Sequence, residues 1–399
     1  MNSRLVPAAC AVAGAAALSV LGVAAAGAAA APSHTAAAAK AGPVTVYVTH
    51  VNAQSASRFP LMHTVTPVQD NTAGPAITVG DEPSAIAITP NGQTAYVTNS
   101  GAATPGHTVT PINTATNAAS PRIDVGKLPD ALAITPNGRT VYVANELSDT
   151  VTPISTSTGQ PGPAIKVGKD PTQVAITPDG KTVYVVNGNS NTVTPISTAT
   201  GKAGPAITVA AGPDAIAITP DGRTAYVASW NSAAGTPPGF VTPISTTSNK
   251  AGPRIQVGSG PAAIAITPNG RAVYIASQDA GTVMPISTAT NTAGSAIATG
   301  GHPTALAITP NGKTVYAVNP GELSFTHSTV TPISTTTNEA GTPITVGYSS
   351  RAIAITRNGR FAYVVNYFDS TVSMIDTASN TVAATINVGA YPWAIAITP

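Results

Sequence analysis

The sequence contains little cysteine and little charge. Among its 399 residues Cys10 is the single cysteine, and only 9% of the residues are charged. If the N-terminal segment that holds Cys10 is removed, disulfides, thiolate chemistry and Cys-ligated metals are all excluded. The net charge of +2 gives no electrostatic basis for binding nucleic acid. No G-x-S-x-G elbow, phosphate loop or dinucleotide fingerprint occurs, so we expect no cofactor.

Helical patterning is also missing. No stretch after the N-terminal region repeats apolar residues with the 3.6-residue period of an amphipathic helix. With 43% hydrophobic residues, the chain is also too apolar for a disordered protein. Glycine and proline number 36 each, which is typical of many short strands joined by turns.

The first 31 residues form a separate segment. Arg4 precedes an uncharged stretch rich in alanine, valine and leucine, and several small residues near Ala31 offer cleavage sites. This pattern predicts a secretory signal peptide over residues 1–31, followed by a linker over 32–42 and one domain over 43–399. A retained N-terminal anchor is the alternative. Lipid attachment at Cys10 is disfavoured because Pro7 stands three residues before it and because Cys10 follows Arg4 too closely.

One hexapeptide, AIAITP or a close variant, occurs eight times at intervals of 42 to 48 residues. A period of this length indicates a repeat architecture. Its copies end at Pro90, Pro136, Pro178, Pro220, Pro268, Pro310, Arg357 and Pro399.

Each repeat contains four short β patterns. In residues 131–167 an apolar run is followed by a Pro-Asn-Gly turn, a β-branched run around Tyr142, a segment around Pro153 and a last run around Ile165. Four strands, here A to D, in about 42 residues match one blade of a β-propeller. The sequence therefore predicts an all-β propeller of four-stranded antiparallel blades.

The chain begins with strands B, C and D and ends with a lone strand A. We expect these ends to complete one blade, which closes the ring and removes open sheet edges. This count predicts eight blades, with seven as the alternative. Strand C carries proline in seven copies, which predicts a bulge there or a weakly paired outer strand D.

The repeats resemble the YVTN-repeat β-propeller family. Tyr96-Val97-Thr98-Asn99 spells its signature, and the last copy repeats it as YVVN at 363–366. The resemblance covers residues 44–399 and implies a secreted or surface-layer propeller, with a wider relationship to lactonase-like propellers. It supplies no catalytic motif that can be placed on this chain.

Irregular features are predicted to gather on one face, which we call the top face and which holds the B–C loops and the D-to-A connections. The B–C loops have 14, 9, 11 and 10 residues in copies 1, 2, 5 and 7 and 5 residues elsewhere. The top face also collects both tryptophans and all five histidines of the predicted domain. Repeat insertions on one face often mark a binding surface.

Charge is predicted to separate between the two faces. The top loops contain ten acids and four bases, whereas the A–B and C–D turns of the opposite, bottom face contain nine bases and four acids. The basic turns could meet an anionic cell-wall polymer, and the alternative is that they serve only solubility.

The residue before strand A should line the mouth of the central channel, and it varies among copies while the framework does not. Varied polar and aromatic residues at such a mouth are typical of a ligand site. The predicted ligand-binding residues are Asp130, Asp214, Trp230, Arg351, Tyr391, Trp393, Tyr348 and Phe325.

Two chemical sites compete with simple binding. A metal site could form from His50, His63 and His107, although no metal-binding spacing supports it. A lactonase-like hydrolase could use Asp130 or Asp214 together with His302 as an acid–base pair. The favoured hypothesis is a secreted or cell-surface propeller, not an enzyme, that binds protein or carbohydrate through its top face.

Overall fold

Eight antiparallel sheets stand in a ring in a computed structural model, which describes residues 44–51, 63–101, 105–230, 238–321 and 326–399. The prediction of an eight-bladed, all-β propeller is confirmed. The expected signal peptide, the linker and Phe325 lie outside the described residues. Blades are numbered 1 to 8 from the first strand B. The one helix among the described residues is the short 3-10 helix Glu146–Ser148, and none there could cross a membrane.

Strand A is the innermost strand of every blade. Each inner strand contacts the inner strands of both neighbouring blades, so the eight together surround a central channel. From blade 1 to blade 8 the inner strands are Pro392–Ile397, Pro83–Ile88, Pro129–Ile134, Pro171–Ile176, Pro213–Ile218, Pro261–Ile266, Ala305–Ile308 and Ser350–Ile355.

Strands B and C form the middle of each blade and hold most of its buried side chains. Strands B are Thr45–His50, Thr94–Asn99, Thr140–Asn145, Thr182–Asn187, Thr224–Ser229, Ala272–Ser277, Thr314–Asn319 and Phe361–Asn366. Strands C are Thr64–Gln69, Thr108–Asn113, Thr150–Ser155, Thr192–Ser197, Gly239–Ser245, Thr282–Ser287, His327–Ser334 and Thr371–Asp376.

The outer strand D is broken wherever strand C carries proline. Because proline has no N–H to donate, the ladder is interrupted opposite it. Blade 8 has Met374 at this position and keeps the continuous strand Thr381–Asn387. The D segments of the other blades are Thr72–Ala73 with Ile77–Thr78, Ala118–Ala119 with Ile123–Asp124, Ile165–Lys166, Lys202–Ala203 with Ile207–Thr208, Lys250–Ala251 with Ile255–Val257, Thr292–Ala293 with Ile297–Ala298, and Ile344–Tyr348.

The two ends of the described propeller close the ring in blade 1, as predicted. Strand Pro392–Ile397 pairs with strand Thr45–His50, with Val46 opposite Ile397. The backbone N–H of Thr45 also donates to the Thr398 hydroxyl at 2.9 Å, and that of Ala394 donates to the Thr49 hydroxyl at 3.0 Å. With the ring closed, every inner strand has a neighbouring blade on both sides.

Neighbouring blades are also joined at the bottom face by tyrosine hydroxyls. The Tyr226 hydroxyl of strand B in blade 5 donates to the Asn291 side chain in the C–D turn of blade 6 at 2.6 Å. Asn291 has a φ of 54°, a left-handed conformation that asparagine tolerates well. The same bond joins Tyr47 to Asn117, Tyr184 to Asn249, Tyr274 to Asn338 and Tyr316 to Asn380.

Candidate ligand-binding site at the channel mouth

A β-bulge at the top of the inner strand builds the mouth of the channel. In blade 3 the pairing with strand B jumps from Pro129 to Ala131, which leaves Asp130 as the extra residue. A bulge leaves one residue outside the ladder and changes the direction of its side chain. The same jump passes over Thr172, Asp214, Ala262 and Arg351 in blades 4, 5, 6 and 8.

The backbone just before this bulge adopts an uncommon conformation. Tyr391 has a φ of 51° and Leu128 one of 52°, while Gly212 and Gly260 take the equivalent position in blades 5 and 6. Side chains other than glycine rarely adopt a left-handed φ, and when they do the surrounding structure holds them there. Tyr391 is held by its carbonyl oxygen, which accepts a bond from the Val51 backbone N–H at 3.1 Å.

An arginine packed between aromatic rings occupies the mouth at blades 8 and 1. The Arg351 guanidinium carbon lies 4.8 Å from the ring centroid of Trp393 and 5.1 Å from that of Tyr367. The centroid of Tyr367 lies 5.3 Å from Tyr391 and 5.0 Å from Phe368. Tyr367 is only 7% exposed, whereas Phe368 is 47% exposed and presents an apolar ring to solvent.

Arg351 has no anionic partner within the described part of the chain. No ion pair or hydrogen bond there involves its side chain, and its Nε is buried without a partner. Burial lowers the pKa of the Arg351 guanidinium, and the neighbouring Tyr367 opposes that shift. The rings stabilise the cation through their negative faces, but they leave its hydrogen-bond donors unused.

Four carboxylates face one another at blades 3 to 5. Asp130 and Asp214 come from the bulges of blades 3 and 5, Asp170 from the connection between blades 3 and 4, and Glu146 from the 3-10 helix of blade 3. Asp130 and Asp170 lie close enough to Glu146 for their charges to act on its carboxyl group.

Burial and repulsion from neighbouring carboxylates make Asp130, Asp214 and Glu146 weaker acids. Burial, with added repulsion from Asp214 and Asp170, raises the pKa of Asp130 to about 6. Burial raises the pKa of Asp214 to about 6 as well, although a hydrogen bond from the Trp230 side chain favours its charged form. Burial and the neighbouring carboxylates raise the pKa of Glu146 to about 7.

The two groups stand on opposite sides of the mouth. In a ring of eight blades, blade 4 lies across the channel from blade 8. The carboxylates of blades 3 to 5 therefore face the Arg351 and aromatic group of blades 8 and 1. Such an arrangement gives the mouth a negative side and a side that combines positive charge with apolar surface.

The predicted ligand-binding residues thus fall into separate groups. Arg351, Tyr391 and Trp393 come together, and Asp130 and Asp214 come together with Trp230 beside Asp214. Tyr348 stacks on His327 with a centroid distance of 4.1 Å. Phe325 lies outside the described residues.

The residues of the two competing hypotheses do not come together as those hypotheses require. His302 is exposed, and its Nδ1 lies 2.9 Å from the Gln278 carbonyl oxygen; no bond among the described residues joins it to Asp130 or Asp214. Both ring nitrogens of His50 are occupied, by the Ala390 carbonyl oxygen and the Thr66 hydroxyl.

The other two histidines of the possible metal site pair with different carboxylates. His63 lies 3.1 Å from Asp81, and His107 lies 3.9 Å from Asp124. Within the described ranges, no three side chains of histidine, cysteine, aspartate or glutamate lie close enough to hold a metal ion.

Sequence reasoning missed Tyr367, Glu146 and Asp170 as parts of the mouth. Tyr367 follows the YVVN motif of blade 8, and Trp230 of blade 5 is the other aromatic residue at this position. The remaining blades have Val51, Ser100, Glu146, Gly188, Gln278 and Pro320 there. An aromatic residue just after strand B was therefore a usable signal. Glu146 and Asp170 had no such signal, because their proximity depends on the contact between two blades.

Comparisons with known proteins agree with the fold. A family model described as YNCE-like beta-propeller matches residues 83–181, and one described as Lactonase, 7-bladed beta-propeller matches residues 283–389. Each covers less than half of the chain. No model of the YVTN-repeat family matches, and no curated protein matches the chain.

Two solved structures illustrate the fold. Hydrazine synthase of Kuenenia stuttgartiensis is 24% identical, with a TM-score of 0.60 over 74% of this chain and 96% of that one. Dihydro-heme d1 dehydrogenase NirN in complex with DHE is 16% identical, with a TM-score of 0.71 over 89% of this chain and 75% of that one. At these identities the likeness shows the fold alone. The chain is a β-propeller, similar over separate segments to YNCE-like and lactonase propellers, and it has one blade more than the seven of the lactonase description.

Proposed function

We propose that this protein is a recognition propeller, secreted or held at the cell surface, that binds protein or carbohydrate through its top face at the channel mouth. The observation that carries the proposal is the group formed by Arg351, Tyr367, Tyr391, Trp393 and Phe368. Arginine, tyrosine and tryptophan are the residues that dominate binding energy at interfaces. Here Arg351, Tyr391, Trp393 and the exposed Phe368 all pack around the buried ring of Tyr367.

A binding screen against glycans and cell-envelope proteins tests the proposal. The test variant combines Tyr391→Gly with Trp393→Ala, because glycine removes the ring at position 391 without straining its left-handed backbone. We expect this variant to fold and to lose at least tenfold in affinity for any ligand that the screen identifies.

The matched control is Arg360→Gln on the bottom face. Arg360 also stacks on an aromatic ring, 4.9 Å from the centroid of Phe361, but it belongs to an exposed A–B turn. If this control weakens binding and the top-face variant does not, the wrong face has been chosen. Protein recovered from the culture medium with residues 1–31 removed would support secretion, and retention of these residues would oppose cleavage.

A lactonase-like hydrolase is the second candidate. It is favoured by the match of the lactonase model to residues 283–389 and by the raised pKa values of Asp130 and Asp214, since a carboxyl group with a pKa near 6 suits general acid–base catalysis. Hydrolysis of a lactone panel should then fall at least 100-fold in both Asp130→Asn and Asp214→Asn. Activity that is absent, or unchanged in these variants, would reject this candidate.

A further inference from the structure

Arg351 is a cation without a counterion in a partly buried position. Removing a charge from water costs free energy unless a partner and hydrogen bonds replace the lost hydration. The two rings supply only part of that replacement, because they accept no strong hydrogen bond from the guanidinium. The nearby Glu82 raises the pKa of Tyr367, yet no ion pair joins it to Arg351.

The part of Arg351 that a ligand can reach is its end. Nε is the guanidinium nitrogen that is both buried and unpartnered, so the two terminal nitrogens are the donors left at the solvent side. A pair of parallel N–H groups of this kind matches the two oxygens of a carboxylate. Trp393 lies against this guanidinium, and the exposed Phe368 packs on the buried Tyr367, which also contacts the guanidinium. Trp393 and Phe368 therefore offer apolar surface to whatever carries the anion.

The geometry points to Arg351 as the anion subsite of the channel mouth, binding end-on one carboxylate group that is attached to an aromatic or apolar body. This inference rests on the proposed binding function. A single negative charge is favoured over a phosphate dianion, because Glu82 lies close by and the four carboxylates of blades 3 to 5 stand across the channel. These acids would repel a second charge while the guanidinium satisfies the first.

Binding of four small probes that share one ring tests the inference without knowledge of the natural ligand. The probes are benzoate, phenyl phosphate, benzylamine and benzyl alcohol, and their dissociation constants are measured by calorimetry or ligand-observed NMR on the folded domain at pH 7.5. We expect benzoate to bind roughly 10-fold or more tightly than benzyl alcohol, since a hydrogen bond to a charged group exceeds a neutral contact by about this factor. Benzoate should also bind more tightly than phenyl phosphate and benzylamine.

Three variants assign the effect to the guanidinium. Arg351→Gln should abolish the preference for benzoate, and Arg351→Lys should keep part of it. Arg254→Gln, at an exposed arginine beside the outer strand of blade 5, should leave it unchanged. Melting temperatures of the variants show whether each is folded, and the comparison among probes on the unmodified protein does not depend on any variant.

Several results would overturn the inference. Equal binding of benzoate and benzyl alcohol, tighter binding of phenyl phosphate, or a preference that survives Arg351→Gln would each do so. Loss of a screened neutral glycan in Tyr391→Gly with Trp393→Ala, together with no benzoate preference, would reject the anion subsite while leaving the proposed function intact.

Discussion

At the scale of single residues, the bonds between tyrosine and asparagine offer a comparison inside one molecule. Five blades have asparagine in the turn that receives the tyrosine hydroxyl, whereas Gly159 and Gly201 stand at this position in blades 3 and 4. Tyr142 of blade 3, whose neighbour is Gly201, makes no such bond among the described residues. The repeats therefore differ by one hydrogen bond at an otherwise equivalent contact.

Adding or removing this hydrogen bond should change stability in opposite directions. Tyr226→Phe should lower the free energy of unfolding by about 1 kcal/mol, and Tyr142→Phe should leave it nearly unchanged. Gly201→Asn should raise it by up to about 1 kcal/mol, because an added Cβ there has open space and asparagine tolerates its φ of 65°. Urea denaturation measures all three. A gain in Gly201→Asn that persists in the Tyr142→Phe background would contradict the proposed contact.

The carboxylates of the mouth should make stability depend on pH. The folded-state pKa values of Asp130, Asp214 and Glu146 lie above those of an unfolded chain, so the fold disfavours the charged forms of these three groups. The penalty is full above about pH 7 and disappears as the pH falls toward 4. The free energy of unfolding should thus increase from pH 8 to pH 5, and Asp130→Asn should flatten this dependence and stabilise the protein at pH 8.

Two comparisons isolate that effect. Asp124→Asn, at an exposed carboxylate, is the control and should keep the dependence of the unmodified protein. Burial lowers the pKa of His50, so the fold favours its neutral form. As the pH falls below the ordinary value of 6.5, this preference reduces the free energy of unfolding. Protonation of His50 therefore lowers the free energy of unfolding as the pH falls, whereas protonation of the carboxylates raises it. The decisive measurement is thus the difference in pH dependence between Asp130→Asn and the unmodified protein. Identical pH profiles for Asp130→Asn and the unmodified protein would contradict the raised pKa that burial and repulsion give Asp130.

At the scale of elements, the outer strand shows how one residue of strand C governs its neighbour. In six of the seven blades with proline in strand C, a glycine of the outer segment packs against the proline ring. In blade 4, for example, a Cβ added to Gly204 would lie only 3.3 Å from Cγ of Pro195. Blade 8 has Met374 opposite Ala384 and keeps all seven residues of its strand D. A proline in strand C thus goes with a split strand D, and in six blades with a glycine opposite it. Met374 goes with an alanine and a continuous strand D.

Met374→Pro should break strand Thr381–Asn387 into two parts. Proline removes the donor at position 374, and its ring meets the Cβ of Ala384 rather than a glycine. We expect a loss of roughly 1–2 kcal/mol in unfolding free energy and faster amide exchange over residues 381–387. Met374→Leu is the control and should preserve slow exchange. Unchanged exchange in Met374→Pro would mean that the split strands of the other blades have another cause.

At the scale of the whole molecule, closure joins the first and last described strands. The bonds of Thr45 and Ala394 tie positions more than 340 residues apart in sequence. Because every blade packs on two others, an interruption at this seam would expose an inner strand and its sheet edge.

Deleting Ala394–Pro399 should therefore lower the melting temperature by much more than a surface truncation does. The deletion removes most of the inner strand of blade 1, Pro392–Ile397, and leaves strand Thr45–His50 as an open edge. Differential scanning calorimetry measures the effect. An unchanged melting temperature would show that blade 1 is not needed to hold the ring.

The bottom face has a ring of exposed cations, and we propose that it meets an anionic cell-wall polymer. These side chains are Arg139, Lys181, Arg223, Arg271, Lys313 and Arg360. Retention on isolated cell walls should fall as salt rises above about 0.1 M, where screening acts within about 10 Å, and should fall again when all six become glutamine. If neither the higher salt nor the six substitutions reduce retention, the ring serves only solubility.

The sequence by itself determined the blade, the closure and the split outer strand, because each follows from a local pattern repeated eight times. Strand alternation, turn residues and the missing N–H of proline act within a few residues, and repetition makes them easy to recognise. Tertiary structure alone decided which variable residues meet. Arg351 packs on a tyrosine of its own blade and a tryptophan of the next, and four carboxylates from three blades approach one another. The burial that shifts the pKa values of three of these carboxylates arises from packing between blades, which no single repeat encodes.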